Sequence, residues 1–395
     1  MHNVKHLTVK IDHDIVGTLA THDGRTIAFE YDTEWLARGF SISPFSLPLE
    51  KRVFIPKLDP FEGVFGIFAD SLPDGWGRLL LDRHLATQNI DPRTIDEITR
   101  LAIVGASGAG SLTYEPSIKS KLGSSRLDLD ALAQDALTVL RDEDVPDLDT
   151  LFELGGSSGG ARPKVLVRID DEDWIIKFAS HVDPPDIGVQ EMDYAEAARA
   201  CGIDMSETRL FSSQRVAGYF GTKRFDRVRT DTACNTACNT ACDTARDTDI
   251  VRTRVHMASV SALLETSHRY PTLDYHALMR LTLELTRDFE QVEQMYRRMC
   301  FNVFAHNRDD HAKNFAFLFL DGRWQLSPAY DLTRSSSIRG EHATSVNGNG
   351  RNPTVDDLCA VGHTIGLSAR RCRTIADEVA VIVADTLSSY LRPAI

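Results

Sequence analysis

Apolar and polar positions alternate through Leu7-Thr8-Val9-Lys10-Ile11, Ile15-Val16-Gly17-Thr18-Leu19 and Thr26-Ile27-Ala28-Phe29-Glu30-Tyr31. A period of two marks strands with one covered face, and Asp23-Gly24 between the last two runs is hairpin-turn chemistry. A small antiparallel sheet is predicted within residues 1–60. The stretch Phe65–Arg78 then opens a helix through Leu85, with Pro73-Asp74-Gly75 as a turn and Asp74 as its capping acceptor. Nothing in that stretch looks catalytic, and packing is its expected role. A glycine- and serine-rich segment over 105–125 ends this first module, assigned to residues 1–115. Leu129, Leu132, Ala133, Ala136, Leu137 and Leu140 recur at helical spacing, which predicts an amphipathic helix over Asp128–Arg141 and a polar linker from Asp142 to Thr150.

Next comes Leu154–Lys164, LGGSSGGARPK, before the apolar strand Val165–Ile169. Glycines at 155, 156, 159 and 160 between flanking strands let backbone N–H groups approach phosphate oxygens closely. No Lys-Ser/Thr follows Gly160, so this is not a Walker loop, and a flexible hairpin is the competing reading. Lys177 then sits in the apolar run Trp174–Phe178, where a kinase keeps its phosphate-binding lysine. Alone, it reads as an exposed strand position. Glu191–Cys201 predicts a helix ending at Gly202. Glu191, in its first turn, is either the partner of Lys177 or the acid that a helix N-terminus favours. Strand-like runs at Thr208–Phe211 and Tyr219–Phe225 complete a nucleotide-binding lobe over 126–225.

Residues 230–249 repeat Thr-Ala-Cys-Asn/Asp with a period of four. That is too short for a solenoid unit, and cysteines at i, i+4 and i+8 lack the fourth ligand of a soft-metal site. A dispensable low-complexity insertion is expected over 226–250. Helical periodicity follows at His256–Glu265, Leu273–Arg287 and Phe289–Ala305, and again near Leu367–Tyr390, so 251–395 reads as a mainly helical lobe.

The third of these helices delivers the chemistry. Asp309 has Asn314 five positions later; an apolar strand Phe315–Leu320, the turn Asp321-Gly322 and a strand Trp324–Leu326 lead to Asp331. Phosphoryl transfer from ATP needs one carboxylate to orient the attacking hydroxyl and take its proton. It also needs an amide oxygen and a second carboxylate to hold the metal ions that bridge the phosphates. Each piece alone is weak, since an Asp after a strand is commonly a helix cap. Their order is the signal.

The chain has 395 residues, 42% hydrophobic and 26% charged, which predicts a large buried core in two domains or one bilobal enzyme. A net charge of −13 argues against a broad nucleic-acid-binding surface. No apolar run approaches the roughly 20 residues of a membrane span, and the first residues lack a signal-peptide core. The 7 cysteines form no disulfide framework, so a cytoplasmic protein is expected.

Taken together, FGIFADSLPDGWGRLLLDR, SSGGARPK, IIKF, YFGTKRFDR, NRDDHAKNF and LSPAYDL resemble the HipA kinases, toxins of bacterial type II toxin–antitoxin systems. The likeness spans nearly the whole chain except the 230–249 repeat. It implies an α+β, two-lobed, protein-kinase-like fold with an extra N-terminal subdomain. It implies Asp309 as catalytic base, with Asn314 and Asp331 as Mg²⁺ ligands. ATP would lie against Lys177, paired with Glu191, and under a loop containing Ser157, Ser158, Gly159, Gly160, Ala161 and Lys164. His311 and Lys313 belong to the same motif and would position phosphates or the loop. Family members autophosphorylate a loop serine, which aligns best with Ser157 and less well with Ser158. Their substrates are aminoacyl-tRNA synthetases, and their partner is a helix-turn-helix antitoxin of HipB type, through which alone DNA is contacted. Three other readings stand beside this one. They are a small-molecule phosphotransferase of the aminoglycoside or choline kinase sort, a non-catalytic antitoxin-binding co-repressor, and, more weakly, metal-dependent hydrolysis at Asp309, Asp310 and His311.

Overall fold

The alternating runs near the start resolve into one antiparallel sheet. The computed structural model describes residues 4–118, 127–230, 251–335 and 340–391. His6–Ile11, Asp14–His22 and Thr26–Tyr31 lie side by side, with Val53–Phe54 and Leu112–Glu115 at the two edges. Asp23 (φ 49°) and Gly24 (φ 71°) adopt the left-handed conformation of a tight hairpin turn. One face of the sheet buries Leu7, Val9, Leu19 and Phe29, with Leu7 directly opposite Leu19. The glycine- and serine-rich stretch is thus not all loop, because Leu112–Glu115 pairs with His6–Ile11.

A second antiparallel sheet runs in the order Lys164–Ile169, Glu172–Lys177, Tyr219–Lys223, Thr208–Phe211. Its register sets Lys164 opposite Lys177, so both lysines leave the same end of the sheet. Three helices pack on it: Gly75–Thr87, Leu129–Leu140 capped by Asp128, and Leu148–Gly155 capped by Asp147. Trp76, Leu80, Leu132, Ala136, Leu151, Val165 and Ile176 form that core. Two expectations change here. The polar linker is shorter than Asp142–Thr150, because Asp147 starts a helix by accepting the Thr150 N–H. In consequence the glycine loop is entered from a helix rather than from a strand, and Gly155 and Gly156 belong to the helix end.

The rest is mainly helical. Tyr275–Thr286, Phe289–Phe304, Val355–Thr364 and Ala369–Leu391 pack around the second of these, which buries Val292, Met295, Tyr296, Met299 and Phe301. His256–Glu265 is not one helix. His256–Ser259 is a strand paired with Ala316–Leu320, and only Val260–Leu263 turns helically. A segment of only four residues fits either period, and the available strand edge decides it. The core of this lobe is continuous with that of the first sheet. The Thr-Ala-Cys repeat lies outside the described residues, apart from Thr230. Its flanks Arg227–Thr230 and Val251–Arg254 form a two-stranded antiparallel ribbon.

Candidate active site

Lys177 ends its strand with a side chain that is 10% exposed. Its Nζ lies 2.8 Å from Glu191 Oε2 and 2.5 Å from Asp331 Oδ1. The helix bearing Glu191 begins at Ile187, so Glu191 is in the second turn and not the first. The helix-terminus explanation for it therefore falls, since that effect fades beyond the first turn. Glu191 is buried and also accepts from Arg162 Nη1 at 2.8 Å, while Arg162 Nη2 donates to Asp183 at 2.9 Å. Burial pushes the Lys177 ammonium toward deprotonation, but the Asp331 and Glu191 carboxylates outweigh it and hold its pKa above the ordinary lysine value. Burial likewise pushes Asp331 up, and the Lys177 and Lys164 ammonium groups outweigh it, holding the carboxyl well below the usual range. Asp331 has φ 52°, a conformation unfavourable to a side chain that is kept only where its surroundings fix it.

Above this pair lies the glycine loop. Gly160 (φ 82°) donates its N–H to Asp74 Oδ1, and Trp76 N–H donates back to Gly160 O at 2.9 Å. Lys164 Nζ donates to Gly159 O at 2.6 Å. Ser158 is 5% exposed and its hydroxyl donates to Gly155 O at 2.6 Å. Ser157 is partly exposed, with its hydroxyl on Ser107 O at 3.0 Å, and Ala161 is exposed. Gly75 and Gly77 make this contact possible: a Cβ at Gly75 would lie 2.4 Å from Gly160 O, and one at Gly77 2.2 Å from Ser158 O. Asp74 was expected to cap its helix and stay out of the chemistry. It makes no cap hydrogen bond, and its side chain instead bonds the loop and Lys313 Nζ, the latter at 2.5 Å.

Opposite the loop, the Phe289–Phe304 helix ends at Ala305 and releases the segment carrying Asp309. The Asp309 side chain is 61% exposed. Asn314 Nδ2 donates to the Asp309 backbone O at 2.6 Å, which closes the Asp-x4-Asn turn and leaves the amide oxygen of Asn314 facing away from that bond. His311 Nε2 lies 3.8 Å from Asp309 Oδ1. Partial burial raises the Asp309 pKa, His311 opposes this and Asp331 adds to it. Asp310 turns the other way. It is fully buried and accepts from Tyr275 Oη at 2.8 Å, His342 Nδ1 at 3.0 Å and Thr344 N at 3.2 Å. Asp309, Asp310 and His311 therefore do not converge, which removes the hydrolytic reading.

The structure brings Lys177, Glu191 and Asp331 into direct contact, puts Lys164 beside them, and sets Lys313 under Gly160 through Asp74. Residues 156–387 match the HipA-like C-terminal domain and residues 7–115 match the HipA N-terminal domain. The chain belongs to the HipA family. A structure of Shewanella oneidensis MR-1 HipA, solved with HipB and operator DNA, has a TM-score of 0.68 to this chain at 16% identity, covering 98% of this chain and 92% of that one. The Helicobacter pylori proinflammatory kinase CtkA aligns at 12% identity over 60% of this chain and 95% of its own, with a TM-score of 0.34, a likeness too slight to carry weight. No curated sequence matches the chain. The fold is thus the HipA fold, β-rich at the N-terminal side and helical at the other. Among the described residues no helix is long and apolar enough to cross a membrane.

Sequence reasoning missed Asp74, Arg162 and His268 as site residues. His268 Nε2 lies 3.9 Å from Asp74 Oδ2 and its ring sits 5.5 Å from that of His311; burial and the Lys313 charge push its pKa down to about 4. Arg162 lies in the GGARPK run, and an arginine beside a glycine-rich loop is the available signal. His268 gave none. A phosphate-bearing ligand fits the donor set: loop amides, two buried lysines and a glycine whose Cβ would strike Lys164 Nζ at 2.8 Å. Among the described residues no three His, Cys, Asp or Glu side chains cluster for a metal.

Proposed function

We propose that this HipA-family protein is an ATP-dependent serine/threonine-protein kinase and the toxin of a HipBA-like toxin–antitoxin system. The observation that carries the reading is Lys177 bridging Glu191 and Asp331 beneath the glycine loop, while Asp309 stays open to solvent on the facing segment. Lys177 and Lys164 supply fixed positive charge for nucleotide phosphates, and Glu191 with Arg162 fixes the Lys177 rotamer. Asn314 and Asp331 would hold Mg²⁺, which supplies neutralisation of phosphate charge. Asp309 accepts the proton of the substrate hydroxyl as its oxygen attacks phosphorus in line, and its raised pKa suits a group that must take that proton. Ser157 is the self-modification site of choice, because its hydroxyl is reachable whereas that of Ser158 is buried. A phosphate there adds about −1.5 to −2 charge, which repels nucleotide and shuts the enzyme off.

The substrate class is an aminoacyl-tRNA synthetase and the partner a HipB-type antitoxin, which alone contacts DNA; the setting is the cytoplasm. The relative from Shewanella, captured with HipB and operator DNA, supports the partner assignment. The test incubates purified protein with labelled ATP and Mg²⁺ beside Asp309→Ala and maps phosphosites by mass spectrometry. Label on Ser157 or Ser158 that vanishes in the variant is the expected result. Nucleotide binding without label in either protein points to a small-molecule kinase. No nucleotide binding by protein of unmodified mass points to a non-catalytic co-repressor.

A further inference from the structure

Every anion-binding group of the glycine loop and the catalytic segment ought to face the nucleotide, yet two of them already hold an anion. The Gly160 N–H and the Lys313 ammonium both donate to the Asp74 carboxylate, one to each oxygen. Asp74 comes from a different part of the chain, the turn before the Gly75–Thr87 helix, and it serves no cap there. Its neighbours complete the picture. His268 lies 3.9 Å away, and Asp70, the nearby acid, has both oxygens taken by Ser259 at 2.7 Å. Lys164, reaching Gly159 O, adds further positive potential. One carboxylate therefore sits among a loop amide and lysines, which is the donor set that a terminal phosphate requires.

We propose that Asp74 is a built-in stand-in for a nucleotide's terminal phosphate, so that the N-terminal module gates triphosphate entry. The inference rests on the nucleotide-binding reading above and adds its regulation. Two anions cannot share the Gly160 amide and Lys313, so a third phosphate seats only when Asp74 withdraws. Withdrawal unlatches the first turn of the Gly75–Thr87 helix from the loop, because Trp76 N–H is bonded to the same Gly160. A diphosphate stops short of this subsite and leaves Asp74 in place. The opposite role, in which Asp74 merely holds Lys313 and Gly160 ready, predicts the reverse effect of removing its charge.

The experiment titrates unphosphorylated full-length protein with Mg²⁺ and either the β,γ-imido analogue of ATP or ADP, in wild type and Asp74→Asn. The expected result is at least tenfold tighter analogue binding by the variant, with ADP changed less than twofold. Unchanged or weaker analogue binding, or an equal gain for ADP, overturns the proposal while leaving the kinase reading intact. Failure of both proteins to bind either nucleotide removes the kinase reading itself. Hydrogen exchange on wild type covers a variant that misfolds: amides 74–80 exchange faster with the analogue than with ADP, and equal exchange refutes the gate.

Discussion

Replacing Lys177 with Met removes the cation shared by Glu191 and Asp331 while nearly keeping the side-chain volume. Breaking a buried ion pair by deleting one partner costs about 3–5 kcal/mol, because the other charge is left unpaired. Two features lower that figure here. Glu191 keeps Arg162 at 2.8 Å, and the Asp331 side chain is 37% exposed, so water screens it. The expected loss is therefore about 2–3 kcal/mol at neutral pH. Its pH dependence has a definite sign. Asp331 has a lowered folded pKa, so its contribution is present above the unfolded value of about 3.9 and is lost as pH falls through the folded one. Lys177 has a raised folded pKa, so its contribution is present below about 10.4 and is lost as pH rises through the folded one. The gap between wild type and Lys177→Met is then flat from about pH 5 to 9 and narrows outside that window. Urea unfolding at pH 3, 5, 7 and 9 measures it. A loss below about 0.5 kcal/mol at pH 7 refutes the claim that these three side chains form a partly desolvated triad, because that is what an exposed pair yields.

Other outcomes follow from single contacts. Gly77→Ala places a Cβ 2.2 Å from Ser158 O, against backbone that cannot swing aside; a loss of about 1–3 kcal/mol in urea unfolding and displaced loop amide resonances in NMR are expected. Glu265 takes the Gly66 N–H on both oxygens at 3.0 and 3.1 Å, and burial lifts its pKa to about 7. The folded state then binds a proton that the unfolded chain gives up, so stability falls as pH rises from about 4.3 toward 7. Glu265→Gln should flatten that slope in thermal melts. Replacing residues 231–250 with Asn-Gly should leave folding and phosphotransfer unchanged in a calorimetric scan and a labelling assay, since Thr230 and Val251 are directly paired and a two-residue turn spans such a pair.

Elements whose period is long or whose chemistry is local were legible in the sequence. The Phe289–Phe304 helix, the Asp-x4-Asn turn and the apolar strand with Lys177 are of this kind, because burial of a regular face and local hydrogen bonds write themselves into spacing. The N-terminal sheet was legible for the same reason. What failed needed a partner from elsewhere in the chain. His256–Ser259 became a strand only because Ala316–Leu320 offered its edge, some sixty residues on. The helix Leu148–Gly155 hid behind acids that read as linker, although Asp147 followed by Thr150 is a cap in retrospect. Asp74 looked like a cap by the same local rule, and the rule gave the wrong partner because Gly75 and Gly77 admit the distant glycine loop where a helix amide would otherwise have been served.

The Asp74 turn also joins parts of the molecule that pack in different cores. The N-terminal sheet shares one core with the helical lobe, whereas the Gly75–Thr87 helix, which lies in the chain between two strands of that sheet, packs in the core of the second sheet. The turn at Asp74 is thus one of the places where the chain passes from one core to the other. The same turn bonds Gly160 of one lobe and Lys313 of the other. The Asp74 carboxylate thereby ties the two cores together through Gly160 and Lys313, and this is the contact that the proposed gate would have to release.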